Sequence, residues 1–253
     1  MIVFAIPAYN EEGAIGPLLV NIARAMDDER LDYRVFVVDD GSTDGTAAEV
    51  EEHARELPVT LVPHEQNQGL AGAMRTCLTT AVAHCDDDDV IVSMDGDNTH
   101  LPGLTPRMVR EVREGRDIVI ASRYQPHARV LGVPPFRQFL SWGAGMVFRT
   151  AFPIPGVKDY TCGYRAYRAG AVRHAIEAWG ENLIMEQGFA CQVELLLRFC
   201  RLDAIMDEVP MVLRYDQKVG ASKMNVRRTV AQTLGLLLRE RFGRGPKPRT
   251  SGE

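Results

Sequence analysis

Short apolar runs alternate with longer amphipathic segments through the first half of the chain. The apolar runs are rich in β-branched residues, which is typical of buried strands. These predicted strands cover residues 2–6, 34–38, 59–62, 90–94 and 117–121. Helices are predicted over 14–26, 68–83 and 104–114, with one more that is capped by 42–44 and ends at 56. This alternation predicts an α/β fold with a doubly wound, mostly parallel sheet.

A proline or a pair of acids follows three of these strands at the point where each strand ends. They are Pro7, Asp39 with Asp40, and Asp95 with Asp97. In a doubly wound sheet, ligands bind outside the carboxyl ends of the strands, where such loops meet. The chain has neither G-x-G-x-x-G after the first strand nor G-x-x-x-x-G-K-[ST]. This argues against a nicotinamide-dependent dehydrogenase and against a P-loop enzyme.

The most informative strand end is Asp95-Gly96-Asp97. In an extended chain the two carboxylates point the same way, and Gly96 allows a ligand to approach the backbone. Two carboxylates at the end of a buried strand suit a hard divalent cation that is shared with substrate phosphates. A single D-x-D is weak evidence, and a polar turn that closes the strand is the alternative interpretation.

Composition narrows the class and the compartment. The chain has 253 residues, 45% apolar and 25% charged, as in ordinary globular proteins. Five scattered cysteines without C-x-x-C spacing argue against a disulfide framework and a zinc site, and they indicate a reducing compartment. No signal peptide is evident, and no stretch approaches about 20 apolar residues, so no transmembrane segment is expected. The expected location is cytoplasmic.

Positive charge is concentrated near the carboxyl terminus. Residues 223–249 carry a net charge of +7, and the remainder carries −12. An apolar residue recurs at every fourth position, in the order Val226, Val230, Leu234, Leu238 and Phe242. This predicts a basic amphipathic helix over 223–242. It either lies on the inner membrane surface, which would make the protein peripheral, or packs on the core with a solvated basic face. Residues 1–222 are expected to form the main domain, and the Gly/Pro-rich segment 243–253 a disordered tail.

Seven motifs together resemble those of family 2 glycosyltransferases, above all the dolichyl- or polyprenyl-phosphate mannose synthases. In chain order they are IPAYNEE, VVDDGSTDGT, SMDGDNTH, ASRY, DYTCGYRAYR, GFACQVE and VGASKM. Each motif alone is weak, but the combination is specific and spans residues 2–224. The resemblance implies the GT-A fold of nucleotide-sugar transferases, followed here by a C-terminal helical extension.

The resemblance also implies a reaction. This is inverting transfer of a hexose, mannose from GDP-mannose in the first place, to a polyprenyl phosphate, with Mg²⁺ or Mn²⁺ as cofactor. Asp95 and Asp97 would hold the metal, Arg137 and Ser141 would lie near the acceptor phosphate, and Asp97, Arg123 and Arg137 would act in catalysis. Nucleic acid is not an expected partner. The implied donor-binding residues are Pro7, Tyr9, Glu11, Val38, Asp40, Asp95, Gly96, Asp97, Arg123, Gln217, Lys218 and Lys223.

Two positions depart from the family pattern. Thr99 stands where the family often has Gln or Ser as a further metal contact, which leaves that contact open. Gln217 stands where an arginine is common. Either Lys218 or Arg214 is expected to supply the missing charge, unless the donor is held differently.

The acceptor decides whether the site needs a base. A sugar hydroxyl needs a general base within hydrogen-bond reach, whereas a phosphate monoester has a second pKa near ~6 and is already ionised at pH 7. The segment from Arg123 to Lys158 is basic and contains no acid, which favours an anionic acceptor. A hydroxyl acceptor would leave Asp159, Glu186 and Glu194 as candidate bases. Their alternative roles are ion pairs or, for Glu186, a first-turn helix acid.

Two other functions stay open from the sequence. One is a family 2 glycosyltransferase that uses another nucleotide sugar and a soluble hydroxyl acceptor. The other is a non-catalytic nucleotide-sugar sensor. The intact D-x-D, Arg123 and Lys223 argue against a sensor, because a sensor has no need to stabilise a leaving diphosphate.

Overall fold

In a computed structural model, the described residues are 1–133, 143, 145–218, 232, 235–240 and 246–248. The strands are β1 (Ile2–Ala8), β2 (Tyr33–Asp39), β3 (Val59–Pro63), β4 (Val90–Ser93), β5 (Ile118–Ser122), β6 (Arg129–Leu131), β7 (Arg165–Arg168), β8 (Met206–Pro210) and β9 (Val212–Arg214). The helices are α1 (Ile15–Asp28), α2 (Thr46–His53), α3 (Gly69–Val82), α4 (Thr105–Arg113), α5 (145–151), α6 (Ala169–Trp179), α7 (Ala190–Cys200) and α8 (235–240).

Seven strands form the main sheet in the order β3-β2-β1-β4-β7-β5-β8. All neighbouring strands are parallel except β7, which is antiparallel to both β4 and β5. Helix α3 packs against β1 and β2, and α4 packs against β5 and β7. The predicted α/β class with a doubly wound, mostly parallel sheet is confirmed, and all five predicted strands are present.

Burial explains why these strands were visible in the sequence. Every residue of β1, β4 and β5 is buried, so these strands are continuous apolar runs rather than alternating ones. β3 lies at the edge of the sheet, and only Val59 in it is buried. Since β1 and β4 lie near the middle of the sheet, the loops that follow them lie near the middle of its carboxyl edge.

Strand β7 was not predicted, because its sequence, Arg165–Arg168, has an arginine at each end. Arg165 is nonetheless fully buried, and it donates hydrogen bonds to the carbonyl oxygens of Gln192 at 2.9 Å and Tyr160 at 3.0 Å. Because β7 is antiparallel, its first residue pairs with Ser93, the last residue of β4. The segment before β7 therefore enters the sheet at the edge where the parallel strands end.

A separate two-stranded parallel ribbon joins β6 to β9. His100 pairs with Leu213, which links the ribbon to the loop that follows β4. After β6, Gly132 has a φ of +78°, and a Cβ there would lie 2.5 Å from the backbone nitrogen of Asp216. Only glycine tolerates both the dihedral and the close approach. The ribbon thereby holds the 3₁₀ turn Tyr215–Gln217 beside the β4 loop.

The described part of helix α8 packs on the core. Leu236 and Leu237 are buried, whereas Leu238, the one described residue of the predicted apolar stripe, is 59% exposed. The remaining members, Val226, Val230, Leu234 and Phe242, lie outside the described residues, as do the predicted boundary at 222/223 and most of 243–253. Within the described part of the chain, no helix is long and apolar enough to cross a bilayer.

A buried ion network joins α8 to α7. Arg198 is fully buried and contacts Glu194 at 2.9 Å and Glu240 at 3.2 Å, with its guanidinium 4.6 Å from the Trp179 ring centre. Arg239 contacts Glu194 at 3.0 Å. Buried charges are tolerated only when they are paired in this way. In α8, therefore, a charge of the basic C-terminal region is neutralised by acids of the main domain.

Candidate active site

The loops after β1 and β2 are joined by side-chain hydrogen bonds. The backbone N–H of Asn10 donates to Ser42 Oγ at 2.9 Å, and that of Glu11 donates to Thr46 Oγ1 at 2.8 Å. Gly41 makes the predicted turn, with a φ of +71°.

Of residues 42–44, which were predicted to cap α2, Asp44 does so, because its Oδ1 accepts a hydrogen bond from the backbone N–H of Thr46 at 3.0 Å. The hydroxyl of Ser42 instead accepts from the β1 loop. The helix ends at His53, before the predicted residue 56.

The residues expected to line a nucleoside pocket gather at the carboxyl ends of β1 and β2. Pro7 and Val38 pair across these strands and are buried. Asp40 follows directly and is 3% exposed. Tyr9 and Glu11 continue from β1 and are partly accessible. The fold brings all five to one stretch of the sheet edge, and their contact with a nucleotide stays a prediction.

The acidic pair follows β4. Asp95 and Asp97 lie close enough for each carboxylate to influence the other, and Asn98 turns the chain away with a φ of +56°. A Cβ at Gly96 would lie 3.2 Å from the carbonyl oxygen of Pro7. A side chain at position 96 would therefore crowd the end of β1, and the expected approach of a ligand to the Gly96 backbone stays a prediction.

The two oxygens of Asp97 have different partners. Oδ1 accepts hydrogen bonds from Thr99, at 3.2 Å from the backbone nitrogen and 2.7 Å from the hydroxyl. Oδ2 contacts the ammonium of Lys218. Burial opposes ionisation of Asp97, but the fields of His100 and Lys218 outweigh burial and lower the pKa of its carboxyl. Burial raises the pKa of Asp95. Thr99 therefore orients Asp97, a role different from the further metal contact that the family pattern suggested.

Lys218 is the cation that reaches the acidic pair. Burial disfavours its charged form, but Asp97 raises the pKa of its ammonium by more. Arg214 instead places its guanidinium on Asp216, with contacts of 3.0 Å, and both side chains are largely accessible. Gln217 is exposed. Of the two residues expected to replace the family's arginine, only Lys218 is at the D-x-D.

The chemistry of this site fits a divalent cation. No group of three or more His, Cys, Asp or Glu side chains forms a metal site within the described residues. Asp95 and Asp97 supply two carboxylates, so the other ligands of an ion would come from water or from the phosphates of a substrate. The ammonium of Lys218 on Asp97 is a stand-in for such a cation. Asp95 and Asp97 would therefore hold a hard ion that is shared with a diphosphate.

Arg123 follows β5 and makes a bidentate ion pair with Asp159. Nε lies 2.8 Å from Oδ2, and Nη2 lies 2.7 Å from Oδ1 and 2.6 Å from Thr161 Oγ1. Asp159 is fully buried; burial works against its ionisation, but Arg123 lowers the pKa of the carboxyl. The fork that was expected to hold a phosphate is thus occupied by a carboxylate. Nη1 makes no hydrogen bond with a described residue.

Glu208 of β8 supports the Arg123–Asp159 pair by binding the backbone next to it. Its Oε1 accepts hydrogen bonds from the backbone nitrogens of Lys158 at 2.6 Å and Asp159 at 2.5 Å. Gln125 donates to Oε2 at 3.2 Å. Burial raises the pKa of Glu208. Neither Glu208 nor Gln125 was expected to contribute to the site.

The remaining candidate bases are also paired with cations. Glu194 is fully buried against Arg198, and Glu186 lies 2.9 Å from Arg239. The ion pairs that were the alternative role of Asp159 and Glu194 are therefore confirmed. The alternative for Glu186 is wrong, because Glu186 precedes α7 instead of lying in its first turn.

Three predicted site residues, Arg137, Ser141 and Lys223, lie outside the described residues. Conversely, the structure adds His64, which had not been singled out. Its Nδ1 lies 2.7 Å from Asp40 Oδ1. The available signal was its position directly after β3, where strand ends on the same edge carry the other site residues.

The fold and this edge together define a GT-A type glycosyltransferase. A family model described as "Glycosyl transferase family 2" matches residues 3–175. The chain belongs to this family and is a glycosyltransferase. The motif-based assignment is thereby confirmed.

The chain is similar to two named relatives and to one solved structure. The chain is 34% identical to undecaprenyl-phosphate mannosyltransferase of Micrococcus luteus, over 87% of this chain and 86% of that protein. It is 32% identical to polyprenol monophosphomannose synthase of Mycolicibacterium smegmatis, over 87% and 79% respectively. Glucosyl-3-phosphoglycerate synthase of Mycobacterium tuberculosis, solved with Mn²⁺, UDP and phosphoglyceric acid, superposes with a TM-score of 0.67 at 20% identity, covering 100% of this chain and 80% of that one. The last comparison shows the fold alone.

Removal of the Asp159 charge should destabilise the protein strongly. Asp159→Asn keeps the shape but leaves the buried face of Arg123 without its counter-charge, so we expect a loss of roughly 3–5 kcal/mol in the free energy of unfolding. Asp216→Asn, which breaks the accessible pair with Arg214, is the matched control and should change little. Urea denaturation measures both.

The pH dependence gives a second check on the same pair. The pKa of Asp159 is lower in the folded state, so its contribution is complete above the unfolded value of about 3.9 and is lost as pH falls through the folded value. The stability difference between the native protein and Asp159→Asn should therefore shrink in acid. Equal stabilities at pH 7 would contradict the role assigned to the pair.

Proposed function

We propose that this protein transfers mannose from GDP-mannose to a polyprenyl phosphate, with inversion at the anomeric carbon. Two relatives matched over most of the chain, named for undecaprenyl-phosphate mannosyl transfer and polyprenol monophosphomannose synthesis, support the sugar and the acceptor. The structural observation that carries the proposal is that Asp159, Glu186 and Glu194 each have a cation partner. Such a site suits a nucleophile that arrives already ionised.

The donor would lie along the carboxyl edge of β1, β2 and β4. Its nucleoside would meet Pro7, Val38 and Asp40, and its diphosphate would meet the acidic pair and Lys218. A bound Mg²⁺ or Mn²⁺ would supply positive charge to the departing diphosphate. Nη1 of Arg123 is suited to donate a charge-assisted hydrogen bond to a phosphate oxygen.

The chemical step would be a single displacement. An acceptor phosphate oxygen forms a bond to the anomeric carbon while the bond from that carbon to the donor diphosphate breaks, and GDP leaves with the electron pair. No proton is transferred, because the acceptor is ionised at pH 7. The work of the protein is to align the reactants and to stabilise the charge on the leaving group.

Arg137 and Ser141 of the basic segment, which lie outside the described residues, are proposed to bind the acceptor phosphate. The polyprenyl chain would bring the protein to a membrane surface as a peripheral protein. Met146 and Val147 of α5, within the same segment, are 41% and 45% exposed, and they offer apolar side chains to lipid.

A lipid-extraction assay tests the whole proposal. The protein is incubated with labelled GDP-mannose, UDP-glucose or UDP-N-acetylglucosamine, and with polyprenyl phosphate or a soluble sugar acceptor. We expect label in the organic phase from GDP-mannose alone. Lipid-soluble label from a UDP-sugar would show that this sugar, and not GDP-mannose, is the donor. Water-soluble label would favour a hydroxyl acceptor. Nucleotide-sugar binding without transfer would favour a sensor.

The acidic pair should be required for transfer. Chelation with EDTA should abolish transfer, and Asp97→Ala should do the same while leaving the fold intact, because the Asp97 carboxylate contributes charge rather than apolar packing. Asp87→Ala, in the accessible loop before β4, is the control and should be active. Circular dichroism confirms folding of each variant. Turnover by Asp97→Ala without added metal would remove the centre of the proposal.

Substitution of Lys218 should affect metal binding and donor binding differently. In this structure it occupies Asp97 Oδ2, so Lys218→Ala should leave metal binding without nucleotide unchanged or tighter. The same variant should weaken GDP-mannose binding by roughly 1.5–3 kcal/mol, the worth of a charged hydrogen bond. Mn²⁺ titration by electron paramagnetic resonance and calorimetry with GDP-mannose measure the two effects. Arg214→Ala is the control; an effect there and none at Lys218 would reverse the assignment.

The acceptor class can be tested with two variants. Arg137→Ala should raise the KM for polyprenyl phosphate, or lower turnover, with donor binding nearly unchanged. Glu186→Gln should keep substantial activity, because an ionised phosphate needs no base. Asp159→Asn, expected on the same reasoning to stay active, is a less clean test because Asp159 anchors Arg123. A hydroxyl acceptor would reverse the pattern, with a loss of roughly 10²–10⁴ in rate for the carboxylate variant and a healthy Arg137→Ala.

A further inference from the structure

His64 connects the end of β3 to the end of β2 and to helix α3. Its backbone N–H donates to the carbonyl oxygen of Asp39 at 2.8 Å. Its ring Nδ1 lies 2.7 Å from Asp40 Oδ1, and its ring Nε2 lies 2.9 Å from Thr76 Oγ1. The His64 and Asp40 side chains are 7% and 4% exposed. A buried imidazole is therefore fixed at both nitrogens, with a site carboxylate on one side.

These contacts leave Asp40 with one occupied and one open oxygen. Oδ1 accepts a second hydrogen bond, from the backbone N–H of Gln68 at 2.8 Å. The backbone of Asp40 is held as well, by Ala8 at 2.8 Å and by the Asn67 side chain at 3.1 Å. Oδ2 makes no hydrogen bond with a described residue. It is therefore the oxygen of Asp40 that remains to accept a hydrogen bond from a ligand.

The hydrogen-bond chain assigns the direction of each proton. The carboxylate can only accept, so Nδ1 of His64 carries the hydrogen that it donates to Asp40. In the neutral ring, Nε2 then accepts from the hydroxyl of Thr76. The order Thr76 to His64 to Asp40 fixes both the tautomer of the ring and the torsion of the carboxylate. The N–H donors of His64 and Gln68 replace water that the buried carboxylate loses.

We infer that His64, held by Thr76, is a positioning residue that aims Asp40 Oδ2 at a ring N–H of the donor nucleobase. This inference rests on the proposed function, in which Asp40 lies in the nucleoside pocket. A carboxylate with one open oxygen recognises a base that carries a ring N–H, as guanine and uracil do. It rejects adenine, which has no such donor at its Watson–Crick edge. His64 thereby contributes to the choice of nucleotide without touching it.

Three substitutions at position 64 separate positioning from simple structural support. His64→Leu removes both ring contacts. His64→Asn loses the contact with Thr76 but retains a donor close to the place of Nδ1. Because Asp40 keeps this donor, the variant should restore binding. His64→Gln reaches toward Thr76 but lacks the donor to Asp40, and it replaces His64→Leu if the latter fails to fold. His53→Leu, whose ring bonds a carbonyl oxygen within α2, is the matched control.

The measurement is calorimetric binding of GDP, UDP, ADP and inorganic pyrophosphate in the presence of Mn²⁺. For His64→Leu we expect the Kd for the preferred nucleotide to rise about tenfold or more, the loss of a charge-assisted contact. Pyrophosphate, which has no base, should bind as it does to the native protein. His64→Asn should recover most of the loss.

Several results would overturn the inference. They are unchanged nucleotide binding by His64→Leu, an equal loss for pyrophosphate, failure of His64→Asn to recover binding, and tight binding of ADP by the native protein. Preference of the native protein for UDP over GDP would instead contradict the proposed donor. In that case the same variants test His64 with UDP, so failure of the donor assignment and failure of the inference remain distinguishable.

Discussion

Asp159 connects several separate segments of the chain at the sheet edge. Its carboxylate accepts from the Arg123 guanidinium and from the backbone nitrogens of Arg123, Thr161 and Cys162. Its own N–H is held by Glu208. A carboxylate leaves water only when donors and a cation replace the water completely. Because these partners belong to the loop after β5, to the segment before β7 and to β8, the requirement of one buried charge fixes the relative positions of three strand ends.

The acid that follows β4 also needs a positive charge, and this charge comes from another part of the fold. The cation on Asp97 is Lys218, which arrives from the ribbon on a turn that Gly132 makes possible. Unlike Arg123, Lys218 has a single flexible contact to the acid and is a compact point charge. In the proposed function, a divalent ion would compete for the same oxygen. The fully buried Asp159 pair would then support the edge permanently, whereas a metal-bound diphosphate would displace the contact of Lys218.

How far the sequence predicts this arrangement depends on burial. The fully buried parallel strands and the D-x-D were predictable, because both leave local patterns. β7 was not, since its buried Arg165 is satisfied by carbonyl oxygens that lie far away in the chain. The partners of Arg123 and Asp97 are likewise distant in sequence, so the ions could be proposed but their pairing could not. At the C-terminus, residues 235–240 are helical as predicted, but Leu238, the one described residue of the predicted apolar stripe, is exposed.

Two acids of the edge are prepared for ligands in the same way. Thr99 occupies Oδ1 of Asp97, and His64 with Gln68 occupies Oδ1 of Asp40. In each case one oxygen is fixed, and the other either faces a cation or makes no hydrogen bond with a described residue. Groups that are oriented before the substrate arrives lose little freedom when it binds. The carboxylates with no such open oxygen, Asp159 and Glu194, are fully buried and ion-paired, so they support the site without offering a base. Such an arrangement suits an acceptor that is already negatively charged and therefore needs no base.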